Sequence, residues 1–206
     1  MMGGAVVHLY LTHPQVRIDP AVPVPLWSLS QEGRARVEGL ARAPWVRRFG
    51  RIVASEEAKA REAAEVLGVA LGLPVEVRPG LHENDRSATG FLPPKEFEAV
   101  AEAFFARSDE SVRGWETARA AQARVLGAVR GVLAEVPTTP TLFVGHGAVG
   151  TLLKCALAGR AISRREDQPA GGGNHLGFTA GPDAVLWDWR PMEEGPWGGS
   201  RPDESP

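Results

Sequence analysis

Val6-Val7-His8-Leu9-Tyr10-Leu11-Thr12-His13-Pro14 is a short apolar run that stops at a histidine and is closed by a proline. Proline has no N–H to give to a ladder, so the run ends there. Near-continuous apolarity marks a buried parallel strand. The residues just past the carboxyl end of such a strand are where open α/β sheets place their sites. A single histidine in that position is more often structural than catalytic. The balance shifts because a second run, Thr141-Leu142-Phe143-Val144-Gly145, also delivers a histidine, His146.

The 206 residues suffice for one large domain with a sizeable core. Hydrophobic residues at 43% and charged residues at 23% are ordinary for a soluble globular chain. A net charge of −2, with no basic block longer than Arg47-Arg48 or Arg164-Arg165, argues against a nucleic-acid partner. No apolar run approaches the ~20 residues of a membrane span, and the first residues lack a charged leader pattern. The single cysteine, Cys155, falls in a helical pattern and reads as an inert buried thiol. A soluble, cytoplasmic, reducing setting is the expectation.

Moving outward from the first strand, Gln15 to Leu26 is a proline-rich loop. Ser30 offers a helix cap before Val37, Leu40 and Ala41. Arg51 to Ser55 reads as a second strand running into an alanine-rich helix from Glu56 to Leu71, which Gly72 ends. Val75 to Val77 alternates as a third strand. The stretch from Pro79 to Pro94 has no period, and such a segment inside a compact domain is functional or disordered. Helices are predicted over Lys95–Ala106 and Trp115–Val136, then the Thr141 strand and a helix over Ala148–Leu157. His175–Thr179 and Val185–Trp189 close the domain as paired strands about Gly181-Pro182-Asp183. Strands alternating with helices give an α/β fold with a mainly parallel sheet in one domain, 1–190. The Gly/Pro-rich acidic tail, 191–206, would be disordered on composition alone. Trp187, Trp189 and Trp197 are the anchors that would dock it, a neighbouring subunit of a homodimer being one such surface.

Gly145-His146-Gly147-Ala148-Val149-Gly150 matches G-x-G-x-x-G between a strand and a helix. A dinucleotide fold opens with this pattern, however, whereas here too little chain follows it, and no acidic residue ends a following strand. The physical content that survives is close backbone approach and an anion-binding helix N-terminus behind His146. None of the five histidines (His8, His13, His82, His146, His175) has metal-ligand spacing, and His8 and His13 lie an odd number of residues apart on a strand, facing opposite ways. No metal and no cofactor are expected.

Four pieces in order carry a family resemblance: His13 after the first strand, Ser55-Glu56-Glu57-Ala58-Lys59-Ala60 opening a helix, Leu81-His82-Glu83-Asn84-Asp85 in the irregular stretch, and Gly145-His146-Gly147. Together they resemble the histidine phosphatase superfamily, which includes the phosphoglycerate mutases, from Val6 to about Trp189. The resemblance implies a three-layer α/β/α sandwich of phosphoglycerate mutase-like type. It also implies hydrolysis of a small phosphomonoester through a phosphohistidine on His13, with Glu83 as acid and His146 donating to the phosphoryl group. Gly114-Trp115-Glu116 loosely resembles the region before the family's long helix.

The chemistry is coherent. Phosphoryl transfer needs an in-line nucleophile, cations around the equatorial oxygens and an acid for the leaving oxygen. A backbone carbonyl can fix the tautomer of His13, and a shielded loop would raise the Glu83 pKa. The departures lie in the phosphate grip. The family's Arg-His-Gly is Thr12-His13-Pro14 here, and its second arginine falls on Lys59, which lacks the bidentate fork. Thr12, Lys59 and Arg17 are therefore the expected phosphate-binding set alongside His146, with Arg86 as a further cation. Loss of one such electrostatic contact can cost about 10²–10³ in rate. Against this stands ordinary helix-surface pairing of Lys59 with Glu56, Glu57 or a later glutamate. The expected partner is a small phosphorylated molecule or inorganic phosphate. The rival reading is a catalytically silent relative that binds an anionic ligand or a protein.

Overall fold

The computed structural model describes residues 5–181 and 184–196. The expected turn at Pro182-Asp183, the anchor Trp197 and the rest of the tail lie outside them. In chain order the elements are β1 (His8–Thr12), α1 (Gln31–Ala41), β2 (Arg51–Ala54), α2 (Ala58–Leu71), β3 (Val75–Val77), α3 (Pro94–Ala106), α4 (Ala118–Glu135), β4 (Thr141–Gly145), α5 (Gly147–Leu157), β5 (Asn174–Phe178) and β6 (Val185–Pro191). Sheet order is β3-β2-β4-β1-β5-β6. The pairings among β1 to β4 are parallel, and β5 and β6 add an antiparallel side. This is the mixed, mainly parallel α/β architecture that the alternation of elements predicts.

Strand pleating sorts the core into two layers. Tyr10, Val53, Phe143, Leu176 and Phe178 face α3, α4 and α5, packing on Phe104, Val125 and Val149. Leu9, Leu11, Ile52, Ala54, Leu142 and Val144 face α1 and α2, packing on Val37, Leu40, Ala60 and Leu67. Both faces are covered, which is why β1, β2 and β4 carry no polar alternation. A one-residue register slip would exchange the two sets, so the register is strongly specified.

Two helix starts differ from expectation by more than one residue, and one matters for the site. α4 begins at Ala118 because the Thr117 hydroxyl accepts the Ala120 N–H. α2 begins at Ala58 because Glu57 takes extended cap geometry. Its side chain therefore leaves the helix surface and turns inward, with 7% exposure. At the other end of the chain, the strand β6 runs through Pro191, and residues 191–196 pack on their own chain. Met192 is buried, its N–H bonds to the Gly173 carbonyl, and Arg36 grips Glu193 with two bonds (2.7 and 3.1 Å).

Candidate active site

Since β1 and β4 are parallel neighbours with Thr12 opposite Gly145, the residues after them share one edge of the sheet. The His13 N–H extends the ladder by donating to the Gly145 carbonyl (2.9 Å). The rings of His13 and His146 then meet edge to face, centroids 5.2 Å apart. His13 Nδ1–H donates to the Pro14 carbonyl (2.8 Å), which leaves Nε2 with its lone pair. Burial, then the nearby Lys59 ammonium, lowers the His13 pKa to about 4, so the ring is neutral at neutral pH.

His146 caps α5 in extended geometry and is fully buried. Its Nε2 lies 2.8 Å from Ser55 Oγ and 3.7 Å from Glu57 Oε1, while its Nδ1 is buried without a partner. Burial pushes its pKa well below the usual histidine value, and the attraction of Glu57 only partly offsets this. Tyr10 fixes the turn that carries the ring: its hydroxyl accepts the His146 N–H (3.1 Å) and donates to the His146 carbonyl (3.3 Å). A Cβ on Gly145 would stand 2.2 Å from that hydroxyl oxygen, and one on Gly147 would stand 2.3 Å from Gln168 Nε2. Gly145 is thus demanded by close approach to the rigid Tyr10 ring, whereas at Gly147 only the end of the Gln168 side chain would have to shift.

Glu83 reaches this edge from the aperiodic stretch. Its carboxylate accepts the Val149 N–H (3.1 Å) and the Ala148 N–H (3.4 Å), filling the amino end of α5. Burial raises its pKa and Arg86 opposes the rise. Arg124 on α4 holds the backbone of this loop, donating to the carbonyls of Gly80 (3.0 Å), His82 (2.9 Å) and Glu83 (3.3 Å) while Glu116 takes it in a fork (3.0 and 2.6 Å). Glu116 and Asp85 also exchange two bonds, at 2.8 and 3.2 Å.

The expected phosphate grip is distributed differently from the pattern read in the sequence. The Thr12 hydroxyl is engaged within the fold, donating to Gln168 Oε1 (2.7 Å) and accepting the Asn174 N–H (3.0 Å). Arg17 lies exposed on its loop, outside the cleft lining. Lys59 is 2% exposed, and its ammonium donates to the Val24 carbonyl (3.0 Å) and is paired with the Glu57 carboxylate. Arg86 lines the cleft, with its guanidinium over the rings of Phe97 (5.0 Å) and Trp115 (6.0 Å). The cleft itself measures about 790 Å³ and is bordered by Val24, Glu57, His82, Glu83, Asn84 and Arg86. Asn84 is buried there with Nδ2 unpartnered.

Of the remaining histidines, His8 is buried against Phe178, and His175 sits between Trp187 Nε1 (3.0 Å) and the Glu194 carbonyl (2.9 Å), both in structural roles. Among the described residues no group of three or more metal-ligating side chains converges, and no helix is long and apolar enough to cross a membrane. Tyr10, Glu57, Arg124 and Gln168 carry no sequence signal of their roles. Each acts through a partner at least two elements away, except Glu57, whose inward turn depends on where α2 begins.

Residues 23–182 match the histidine phosphatase superfamily (branch 1). No curated protein sequence matches significantly. Among solved structures, a mycobacterial glucosyl-3-phosphoglycerate phosphatase in complex with inorganic phosphate superposes with a TM-score of 0.73 at 21% identity, covering 93% of this chain and 100% of that one. A phosphoserine phosphatase from Entamoeba histolytica in complex with 3-phosphoglyceric acid gives 0.74 at 12% identity, covering 91% and 98%. Bacillus stearothermophilus YhfR gives 0.72 at 17% identity, covering 88% and 94%.

Proposed function

From this chain's membership of the histidine phosphatase superfamily, we propose that it is a phosphomonoesterase that works through a phosphohistidine on His13. The observation that carries the reading is the His13–His146 pair, with His13 Nδ1–H tied to Pro14 so that Nε2 is the free nucleophile. Nε2 forms a bond to phosphorus as the bond from phosphorus to the ester oxygen breaks. Glu83, kept protonated more readily by burial, gives its proton to the leaving oxygen. Water then attacks the phosphohistidine while the Glu83 carboxylate takes a proton from it, and the N–P electron pair returns to His13.

His146 is the donor to the phosphoryl oxygens in this reading. With Ser55 donating to Nε2, the ring hydrogen sits on Nδ1, the buried atom that has no protein acceptor. Arg86 and Lys59 supply positive charge, and Arg17 is the further cation the loop could fold inward. A small phosphorylated molecule is the substrate class, and the cleft beside Glu83 receives its alcohol portion.

One observation favours the rival, silent-binder reading: two anion-binding elements are already met by the chain's own carboxylates, Lys59 by Glu57 and the amino end of α5 by Glu83. Rapid mixing with an aryl phosphate, quenched in base, separates the readings. Burst formation of an acid-labile phosphoprotein, lost in His13→Ala, is expected. No phosphoprotein and no turnover would establish the silent reading.

A further inference from the structure

Glu57 is the feature that the phosphatase mechanism does not use. It is a buried carboxylate inside the site, and its geometry is over-determined. It accepts the Glu83 N–H (2.8 Å), pairs with the buried Lys59 ammonium, and stands 3.7 Å from His146 Nε2. Its position arises locally, because an extended cap residue points its side chain away from the helix surface and back toward the sheet edge. The pair is not a surface bridge of the kind that contributes almost nothing, as Arg61–Glu65 on the next turn is. Both partners are out of water, where charges act over several ångströms with little screening. The positive field Lys59 presents to an incoming phosphoryl group is therefore partly offset at close range.

We infer that Glu57 is an affinity-setting residue for the proposed reaction: an internal counter-anion to Lys59 that keeps the site's hold on phosphate weak. This rests on the phosphatase reading above. The physical reason for such a device is product release. The product, inorganic phosphate, carries the same group the site must grip in the transition state, so a strongly cationic cradle would retain it. A cradle whose lysine is neutralised by a fixed carboxylate binds the ground-state anion loosely. The charge spread over the equatorial oxygens in the transition state is met by His146 and Arg86. It also accounts for a lysine in place of the family's arginine: a single ammonium is matched by a single carboxylate oxygen, as seen, whereas a guanidinium would leave further N–H groups over.

The charge arithmetic makes the inference testable by a two-residue cycle read as affinity for inorganic phosphate and vanadate. Removing the carboxylate in Glu57→Gln leaves Lys59 unopposed and should tighten both anions by about tenfold or more, with stronger inhibition by product phosphate. Lys59→Met should weaken them by a similar factor. The double variant Glu57→Leu/Lys59→Met buries no unpaired charge, so it is the safest to fold, and should bind within about threefold of wild type. A well-folded Glu57→Gln that binds no tighter than wild type would overturn the inference. So would a double variant as weak as Lys59→Met, since Lys59 would then hold phosphate unopposed by Glu57. Failure of the phosphatase reading looks different: wild type itself would bind neither anion and form no phosphoprotein, whatever residue stands at 57.

Discussion

At the scale of single residues, the site is a set of protonation states fixed by burial. In the proposed reaction His13, lowered to about 4, is neutral and fit to be the nucleophile above that pH and loses that role below it. Glu83, raised by burial, stays a proton donor above the ordinary carboxylate range and is lost as an acid when pH rises through its own value. The kcat/KM profile should therefore be a bell whose acid limb belongs to His13 and whose alkaline limb belongs to Glu83. Glu83→Gln is expected to remove the alkaline limb and to lower kcat by about 10²–10⁴ on an alkyl phosphate, with a smaller loss on a nitrophenyl ester whose oxygen leaves without a proton. An unchanged alkaline limb in that variant would move the acid's role to another group. Glu57 does not titrate in this range. Burial alone would raise it, but the Lys59 ammonium and the Glu83 N–H oppose burial, and it lies at about 2. Since a lowered carboxylate stabilises the fold above its unfolded value and loses that contribution as pH falls through its folded one, the Glu57 contribution should fade only between roughly pH 4 and 2.

At the scale of elements, the turn from β4 into α5 is the part with least tolerance. Gly145→Ala would drive a methyl into Tyr10, whose hydroxyl and ring carbon would lie 2.2 and 2.7 Å away. A loss of about 1–3 kcal/mol is expected in chemical denaturation, together with loss of turnover, because Tyr10 is what holds the His146 backbone. The loop that carries Glu83 has its own clamp in Arg124. Arg124→Met should leave the carbonyls of Gly80 and His82 without their side-chain donor and take the guanidinium from Glu116, lowering stability by about 1–3 kcal/mol and depressing kcat more than KM. Equal activity at equal stability would show that the loop is held without it. These two elements also show where sequence reading succeeds. The strand-end positions of His13 and His146, and the aperiodic stretch holding Glu83, are visible because period and punctuation are local properties. Tyr10, Gln168 and Arg124 are not visible, because their roles come from contacts across the sheet or between loop and helix. Glu57 was in plain view as a charge near Lys59. Its burial was hidden because it depends on α2 starting at Ala58 rather than at Glu56.

At the scale of the whole molecule, the segment after β6 is part of the fold as far as it is described. Met192 is buried, Glu193 is gripped by Arg36, and the Glu194 carbonyl accepts from His175. Truncation after Pro191 should lower the melting temperature by about 4–8 °C, as expected for loss of roughly 2 kcal/mol of buried methionine and paired charge in a chain of this size. An unaltered melting temperature would show those contacts to be idle. The sheet order has a consequence of another kind, for how the chain is made. β1 lies between β4 and β5, both of which come from the last third of the sequence, whereas β2 and β3 pair with each other early. While the chain leaves the ribosome, His13 thus waits on a strand with neither neighbour until residue 141 and beyond have emerged. Such long loop closure is slow, and the waiting strand is apolar on both faces. His13 and its strand are thus the first part of the sheet to be synthesised and among the last to be sheltered. A ribosome-stalled chain ending before β4 should protect the amides of β2 from exchange before those of β1.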